Sequence, residues 1–191
     1  MRCISCHKLS FSIFCKQCQV DFLQPQVTKR RVGTLEVYSF YPYSILENFL
    51  LTKHTPLGHR VFTSLANISM KPFIEAFVPY DLRDIYIVGV DEAIKHGYSH
   101  VAILTHSMSR SNIKVAHGVL RSTKDIKYSG KSLQYRLENS RDFIYSGPTN
   151  CDIILVDDII TSGLTLQQAY DAVSQKGNRV LFALTLADAQ K

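Results

Sequence analysis

Residues 151 to 174 read CDIILVDDIITSGLTLQQAYDAVS, and no other stretch narrows the fold so much. Residues 152–156 form an apolar run with no alternation, which marks a strand covered on both faces, as in a parallel sheet. Two acids follow, then small and hydroxylated residues. From 165 to 176 the apolar positions Leu166, Ala169, Tyr170 and Val173 recur at helical spacing, and Gly177 stands where a helix ends in a left-handed residue. A doubly buried strand that turns at once into an amphipathic helix is half of a β-α-β unit, which requires an α/β domain.

The same rhythm runs through the rest of the chain. TLEVYSFY reads as a strand. PYSILENFLL is a helix with Pro42 near its start and Ile45, Leu46, Phe49 and Leu50 on one face, and a second helix spans Leu57 to Met70. DIYIVGV (84–90) is a strand apolar on both faces. SHVAILTHSMS is helical, with Val101, Leu104 and Met108 in register. IKVAHGVL alternates as a strand, KSLQYRLENSRDF is a polar helix, and RVLFALTLA closes the sheet. The expected architecture is a mostly parallel sheet flanked by helices over residues 34–191. With 46% hydrophobic and 20% charged residues in a 191-residue chain, this is a folded domain with a small appendage. No apolar stretch approaches the roughly 20 residues that span a bilayer. The start MRCISCHKLS has no secretory h-region, so a cytoplasmic protein without membrane insertion is expected.

The appendage is residues 1–25. Cys3-x-x-Cys6 and Cys15-x-x-Cys18 are two knuckles separated by eight residues, enough for a hairpin in which LSFSIF alternates as a strand. Four thiolates at this spacing close a tetrahedral shell, for which Zn²⁺ is the expected structural ion. A pair of disulfides is the rival reading, disfavoured in a reducing cytoplasm. About 25 residues cannot bury a core, so the metal would supply the folding energy. His7 beside Cys6 is read as a neighbour, and Cys151 as a small buried residue. Residues 26–33 read as a polar linker carrying Lys29, Arg30 and Arg31.

The net charge of +6 is concentrated. Residues 1–60 carry 8 Lys and Arg against 3 acids, and residues 110–141 carry 8 against 2. Concentrated positive charge interleaved with aromatics (Tyr128, Tyr135) fits the backbone and bases of single-stranded nucleic acid. Candidate contacts are Lys29, Arg30, Arg31, Arg110, Lys114, Arg121, Lys124 and Lys127. Two solvated surfaces, or a lid that is basic because it covers a pyrophosphate, account for the same charge.

Ligands of parallel α/β sheets bind beyond the carboxyl ends of the strands, where VDDIITSGLT falls. Backbone N–H groups from Ile160 to Leu164 and the start of the following helix can cradle a phosphate. Thr161, Ser162 and Thr165 add hydroxyls, and Gly163 allows close approach. Asp157 and Asp158 then face what hangs from the phosphate, and vicinal ribose hydroxyls suit two carboxylates. A Walker-B-like pair of acids is the competing reading, but the only matching Gly-rich candidate, SGKS at 129–132, has Asp125 where its first glycine belongs.

Asp157, Asp158, Ile159, Ile160, Thr161, Ser162, Gly163, Leu164 and Thr165 together resemble the phosphoribosyl-pyrophosphate (PRPP) loop of type I phosphoribosyltransferases. That resemblance implies acids on the ribose 2′- and 3′-hydroxyls, the loop on the 5′-phosphate and Mg²⁺ on the pyrophosphate. The four-cysteine module joined to such a domain is similar to the layout of the ComF family of competence-associated bacterial proteins. LRSTKDIKYSGKSLQYRLENSRDFIYSG resembles a Leu-Arg…Gln…Leu…Arg…Asn…Phe segment of that family. The similarity implies a phosphoribosyltransferase-like fold, incoming single-stranded DNA as partner during natural transformation, and a DNA-uptake helicase or recombination factor as a further partner. An active Mg²⁺-dependent phosphoribosyltransferase of nucleotide metabolism is the alternative. Departures from the family pattern fall at Gly89-Val90-Asp91, in place of Pro-Val-Pro, and at His96-Gly97-Tyr98-Ser99-His100, in place of Arg-Gly-Phe-Asn-Gln. Thr161 stands where purine-salvage enzymes have an Asp. His96, His100, His106 and His117 are read as surface or packing residues.

Overall fold

A computed structural model describes residues 1–77, 85–90, 98–124, 134–135 and 141–190. The chain runs α1 (Lys16–Phe22), β1 (Thr28–Val32), β2 (Leu35–Pro42), α2 (Tyr43–Leu50), a 3₁₀ turn (Leu51–His54), α3 (Pro56–Ile68), α4 (Met70–Phe77) and β3 (Ile85–Gly89). It continues through α5 (His100–His106), β4 (Ile113–Ala116), β5 (Leu120–Ser122), β6 (Phe143–Tyr145), β7 (Asp152–Ile160), α6 (Leu164–Ser174) and β8 (Arg179–Asp188). One six-stranded sheet has the order β1-β2-β8-β7-β3-β4, and every neighbouring pair is parallel except β1–β2. β5 and β6 make a separate antiparallel ribbon.

Both faces of the sheet are covered, as the unbroken apolar runs require. On one face Ile87, Ile154, Val156 and Leu184 pack with Leu46, Phe62, Leu65, Ile74 and Leu104 of helices α2 to α5. On the other, Val88, Ile153, Leu155 and Ala183 meet Leu166, Ala169 and Val173 of α6, with Leu120 and Tyr145 of the ribbon. The alternation of Ile153 and Leu155 against Ile154 and Val156 is the two-residue period of a strand read against two cores. Helix α5, following β3, lies on the first face, while α6, following β7, lies on the second. The chain therefore leaves adjacent strands in opposite directions, opening a crevice at their carboxyl ends. Among the described residues no helix is long and apolar enough to cross a membrane.

Several local expectations change. The stretch 26–33 contains a strand where a linker was expected: β1 pairs with β2 from Thr28↔Ser39 to Val32↔Leu35. Its burial alternates, with Thr28, Arg30 and Val32 half-buried and Lys29 and Arg31 exposed. Two β-branched ends and long charged residues on the open side suit an edge strand. The helix expected over Leu57–Met70 divides at Ser69, whose hydroxyl donates to the Leu65 carbonyl, and α4 follows. IKVAHGVL breaks at Gly118 (φ 64°), dividing β4 from β5. β7 continues past Val156 to Ile160 because Asp157, Ile159 and Ile160 still pair with Thr185, Ala187 and Asp188 of β8. LSFSIF forms no strand; Leu9 makes one isolated bridge to Arg2, and residues 11–14 bend into α1. The polar helix KSLQYRLENSRDF lies mostly outside the described residues.

The first 25 residues are tied to the larger core. Ile13, Phe14 and Leu23 are buried with the sheet-and-helix cluster, Phe14 sets its ring edge-on to Phe49 at 5.0 Å, and the Tyr41 hydroxyl donates to the Leu23 carbonyl at 3.0 Å.

Candidate functional site

At the crevice, Lys53 and His54 of the 3₁₀ turn, Val90 after β3, His100 and Val101 of α5, Arg141, Asp157, Asp158 and Ile159 of β7, and Thr165 of α6 line a cavity of about 240 Å³. Side chains of adjacent strand residues leave opposite faces. Asp157 lines the cavity together with Arg141 and Thr165 of α6. Asp158 is turned toward α5 and the 3₁₀ turn, where Lys53 Nζ lies 2.9 Å and His100 Nε2 3.2 Å from the same Oδ2. His100 also packs against Phe62, with ring centroids 5.5 Å apart.

The two carboxyls therefore behave differently. Burial opposes ionisation of Asp158, but His100 and Lys53 outweigh it and hold the group below the usual carboxylate range. Burial and the neighbouring Asp158 charge push Asp157 well above its ordinary value, although the Asp158 N–H donates to Asp157 Oδ1 at 2.8 Å. Burial alone would lower the Lys53 pKa; the charge of Asp158 reverses that and raises it. One carboxyl driven toward its neutral form beside one held toward its ionised form suits a pair of hydroxyl groups.

Beyond Ile160 the chain bends through Thr161 and Ser162 to Gly163, which at φ 85° occupies the left-handed region and caps α6. A Cβ there would lie 2.5 Å from Val32 Cγ2, so this glycine is needed both for its φ and for the close approach of β1. The Leu164 N–H reaches Ser162 Oγ at 3.4 Å, and the Gln167 N–H bonds the Gly163 carbonyl at 2.9 Å. The first N–H groups of a helix have no partner within it, and the positive end of the dipole faces the same way. The turn and the start of α6 thus offer N–H donors that could hold an anion next to the acids.

The sequence placed the acids and the turn together, but it missed Lys53 and His100. Neither has a local pattern to mark it: Lys53 lies about a hundred residues from Asp158 in the chain, and His100 had been read as a surface or packing residue. The structure puts His100 in the cavity wall.

The four cysteines converge. Their sulfurs all lie within 4.8 Å of one another, and the thiols are free of disulfides. A tetrahedron with metal–sulfur bonds of roughly 2.3 Å has sulfurs about 3.8 Å apart, so the cluster can hold such an ion. The Cys15 N–H donates to Cys3 Sγ at 3.3 Å, and the Cys18 N–H to Cys15 Sγ at 3.5 Å, as a knuckle requires. Burial resists ionisation of Cys3, but N–H groups of Cys15, Cys6 and Ser5 prevail and bring its pKa down to about 6. For Cys18 the Ser5 side chain favours the thiolate, yet burial and the sulfurs of Cys6, Cys15 and Cys3 push it up to about 12. Crowded sulfurs of this kind call for a cation.

The candidate nucleic-acid contacts scatter. Lys29 and Arg31 both reach Glu36 Oε1, at 2.7 and 3.3 Å, and Lys124 pairs with Asp142. Arg30 turns inward, its Nη1 2.9 Å from Asp188 Oδ1 and its Nη2 donating to the Thr161 carbonyl at 2.5 Å. Arg110 is half-buried. Lys114 on β4 and Arg121 on β5 are exposed, Lys114 over the Tyr86 ring and Arg121 bonded to the Gly118 carbonyl. Lys127 lies outside the described residues, as do Asp91, Glu92 and His96.

No protein-family model matches the sequence, and no curated protein does either. Among solved structures, an adenine phosphoribosyltransferase aligns at 16% identity over 90% of this chain and 88% of its own, with a TM-score of 0.44. The orotate phosphoribosyltransferase of Mycobacterium tuberculosis H37Rv aligns at 19% identity over 90% and 82%, with a TM-score of 0.43. The adenine phosphoribosyltransferase of Leishmania tarentolae aligns at 10% identity over 92% and 88%, with a TM-score of 0.39. Agreement at this level assigns neither family nor activity.

Proposed function

We propose that this chain is a phosphoribosyltransferase-like protein that binds PRPP or a related sugar phosphate, with Mg²⁺ on the pyrophosphate and Zn²⁺ in the four-cysteine cluster. The observation that carries the reading is the continuity of one site. Two carboxyls whose pKa values are driven apart stand at the end of β7, and a left-handed glycine turns the chain directly into a helix N-terminus. Asp157 and Asp158 take the ribose hydroxyls, while Thr161 to Thr165 take the 5′-phosphate. Lys53 and Arg141 supply positive charge beside the acids, and His100 Nε2 stands 3.2 Å from Asp158 Oδ2.

Titration calorimetry with PRPP, with and without Mg²⁺, is expected to show one site per chain and tighter binding with the metal. Ribose 5-phosphate should compete and ribose should not, since the anchor is the phosphate. Absence of PRPP binding would remove the reading. Pyrophosphate release with any of a panel of bases would make the protein an enzyme; binding without release would make it a receptor for the sugar phosphate.

A second function, handling of single-stranded DNA in natural transformation, draws on the ComF resemblance and on the basic balance of residues 110–141, from which Lys114 and Arg121 project exposed. A DNA-uptake helicase or recombination factor is the partner this role would require. If about five phosphates are neutralised, log K should fall against log[salt] with a slope of about −3.5. Binding indifferent to salt, measured by mobility shift, would end that part of the proposal.

A further inference from the structure

Strand β1 has two faces with different partners. Lys29 and Arg31 point outward to Glu36, while Arg30 and Val32, the alternate residues, meet the turn that follows β7. Arg30 bridges two elements: one nitrogen lies 2.9 Å from Asp188 Oδ1, and the other donates to the Thr161 carbonyl at 2.5 Å. Asp188 is itself fixed. It is 1% exposed, its Oδ1 also accepts from the Gln190 N–H at 2.9 Å, and the Ala189 N–H beside it bonds the Ile160 carbonyl at 2.9 Å. Two residues further along β1, Val32 fills the space that Gly163 leaves vacant.

We propose that Arg30 is a positioning residue for phosphate binding, holding the 161–162 peptide by its carbonyl so that the Ser162 N–H is aimed at the ligand. The inference rests on the sugar-phosphate reading of the site and assigns to it a residue from the edge strand β1. The physical step is the planarity of the amide. In a trans peptide the C=O of residue 161 and the N–H of residue 162 point in opposite directions, so fixing one fixes the other. The guanidinium suits the task because it is always charged and presents several donors in a rigid fork. With one arm on buried Asp188 and the other on Thr161, it locks the peptide plane before any ligand arrives. A donor set already aligned binds an anion without first ordering the turn, which raises affinity by cutting the cost of ordering. Arg30 contacts the Thr161 carbonyl, and its effect on phosphate passes through that peptide.

The test compares the full-length protein with Arg30→Met and Arg30→Lys, using inorganic phosphate, ribose 5-phosphate and PRPP with Mg²⁺ as probes. Thermal melting establishes that each variant is folded. Arg30→Met should weaken all three ligands by a similar factor of tenfold or more, because only the shared phosphoryl group is affected. Arg30→Lys keeps the charge but loses the fork, and should remain at least fivefold weaker than wild type. In the wild type the Ser162 amide resonance should move on phosphate titration; in folded Arg30→Met it should not. That response separates aiming from stability, since a residue serving only the fold would leave the amide shift intact in molecules that remain folded. Wild-type protein that binds none of the probes would refute the cradle, and the brace with it. Wild type that binds, with either variant within twofold of it, refutes the brace alone. A Ser162 amide that still responds in Arg30→Met does the same.

Discussion

Replacing Asp158 with Ala is expected to lower the unfolding free energy by about 3 kcal/mol and to abolish PRPP binding, two effects with one cause. Removing one partner of a buried ion pair leaves the other without its counter-charge, which costs roughly 3–5 kcal/mol in well-buried sites. The Asp158 side chain is 10% exposed and Lys53 is 25% exposed, so the low end applies. Both losses together would make the carboxylate structural as well as ligand-binding. The pH dependence has a definite sign. The folded-state pKa of Asp158 lies below its ordinary value of 3.8, so its contribution is complete above that value and is lost as pH falls through the lower, folded one. The raised pKa of Lys53 contributes fully below its ordinary 10.5 and is lost as pH rises through the folded value. Urea unfolding should therefore show the Asp158→Ala deficit at neutral pH and its closing in strong acid. Asp157→Asn should cost less stability, because burial already opposes the charged form of this carboxyl and the amide that replaces it is neutral, while still weakening PRPP. An Asp158→Ala midpoint equal to wild type would mean that Lys53 and His100 do not hold this carboxylate in solution.

That pair also marks where the sequence stops being legible. The α/β layering could be read from the run Ile153–Val156 and the helical stripe Leu166, Ala169 and Val173, because burial on two faces leaves a compositional trace in a few consecutive residues. The turn at Gly163 was equally local, a backbone requirement written in one residue. Lys53 and His100 are brought to Asp158 by the packing of α2, α3 and α5 on one face of the sheet, a consequence of topology that no short window contains. Arg30 shows the complementary error. Three consecutive basic residues look alike in a sequence, but a strand sends alternate side chains to opposite faces, so the middle one goes to Asp188 and Thr161 while its neighbours share Glu36. Charge reversal across all three would disturb the turn at Thr161, and with it the proposed sugar-phosphate site, along with any surface that meets DNA. A charge count is blind to that division.

Removal of metal from the four-cysteine cluster is expected to destabilise the entire chain, beyond its first 25 residues. Structural zinc in comparable small sites contributes roughly 10–16 kcal/mol of binding free energy, which such modules use to fold. Here the module and the α/β domain share packing: Phe14 is fully buried against Phe49, Leu23 is 1% exposed, and Cys3 lies at the interior of the cluster. Releasing the knuckles frees Phe14 and Leu23 from the core, and losing a buried aromatic side chain alone costs about 3–5 kcal/mol. Chelation, or Cys18→Ser, should therefore lower the single thermal midpoint of the protein and remove the metal from elemental analysis. Local fraying would instead leave the main transition in place. Acid should act in the same direction. Protons compete for the sulfurs, so affinity should fall on acidification, and Cys3, held down to about 6 by its three N–H donors, joins that competition only near and below that value. Cys18, at about 12 without a cation, must lose its proton on binding, so calorimetry in buffers of different ionisation enthalpy should register proton release. A chain that purifies without metal, and melts at the same temperature with or without added zinc, would show that apolar contacts through Phe14 and Leu23 hold the knuckles together unaided.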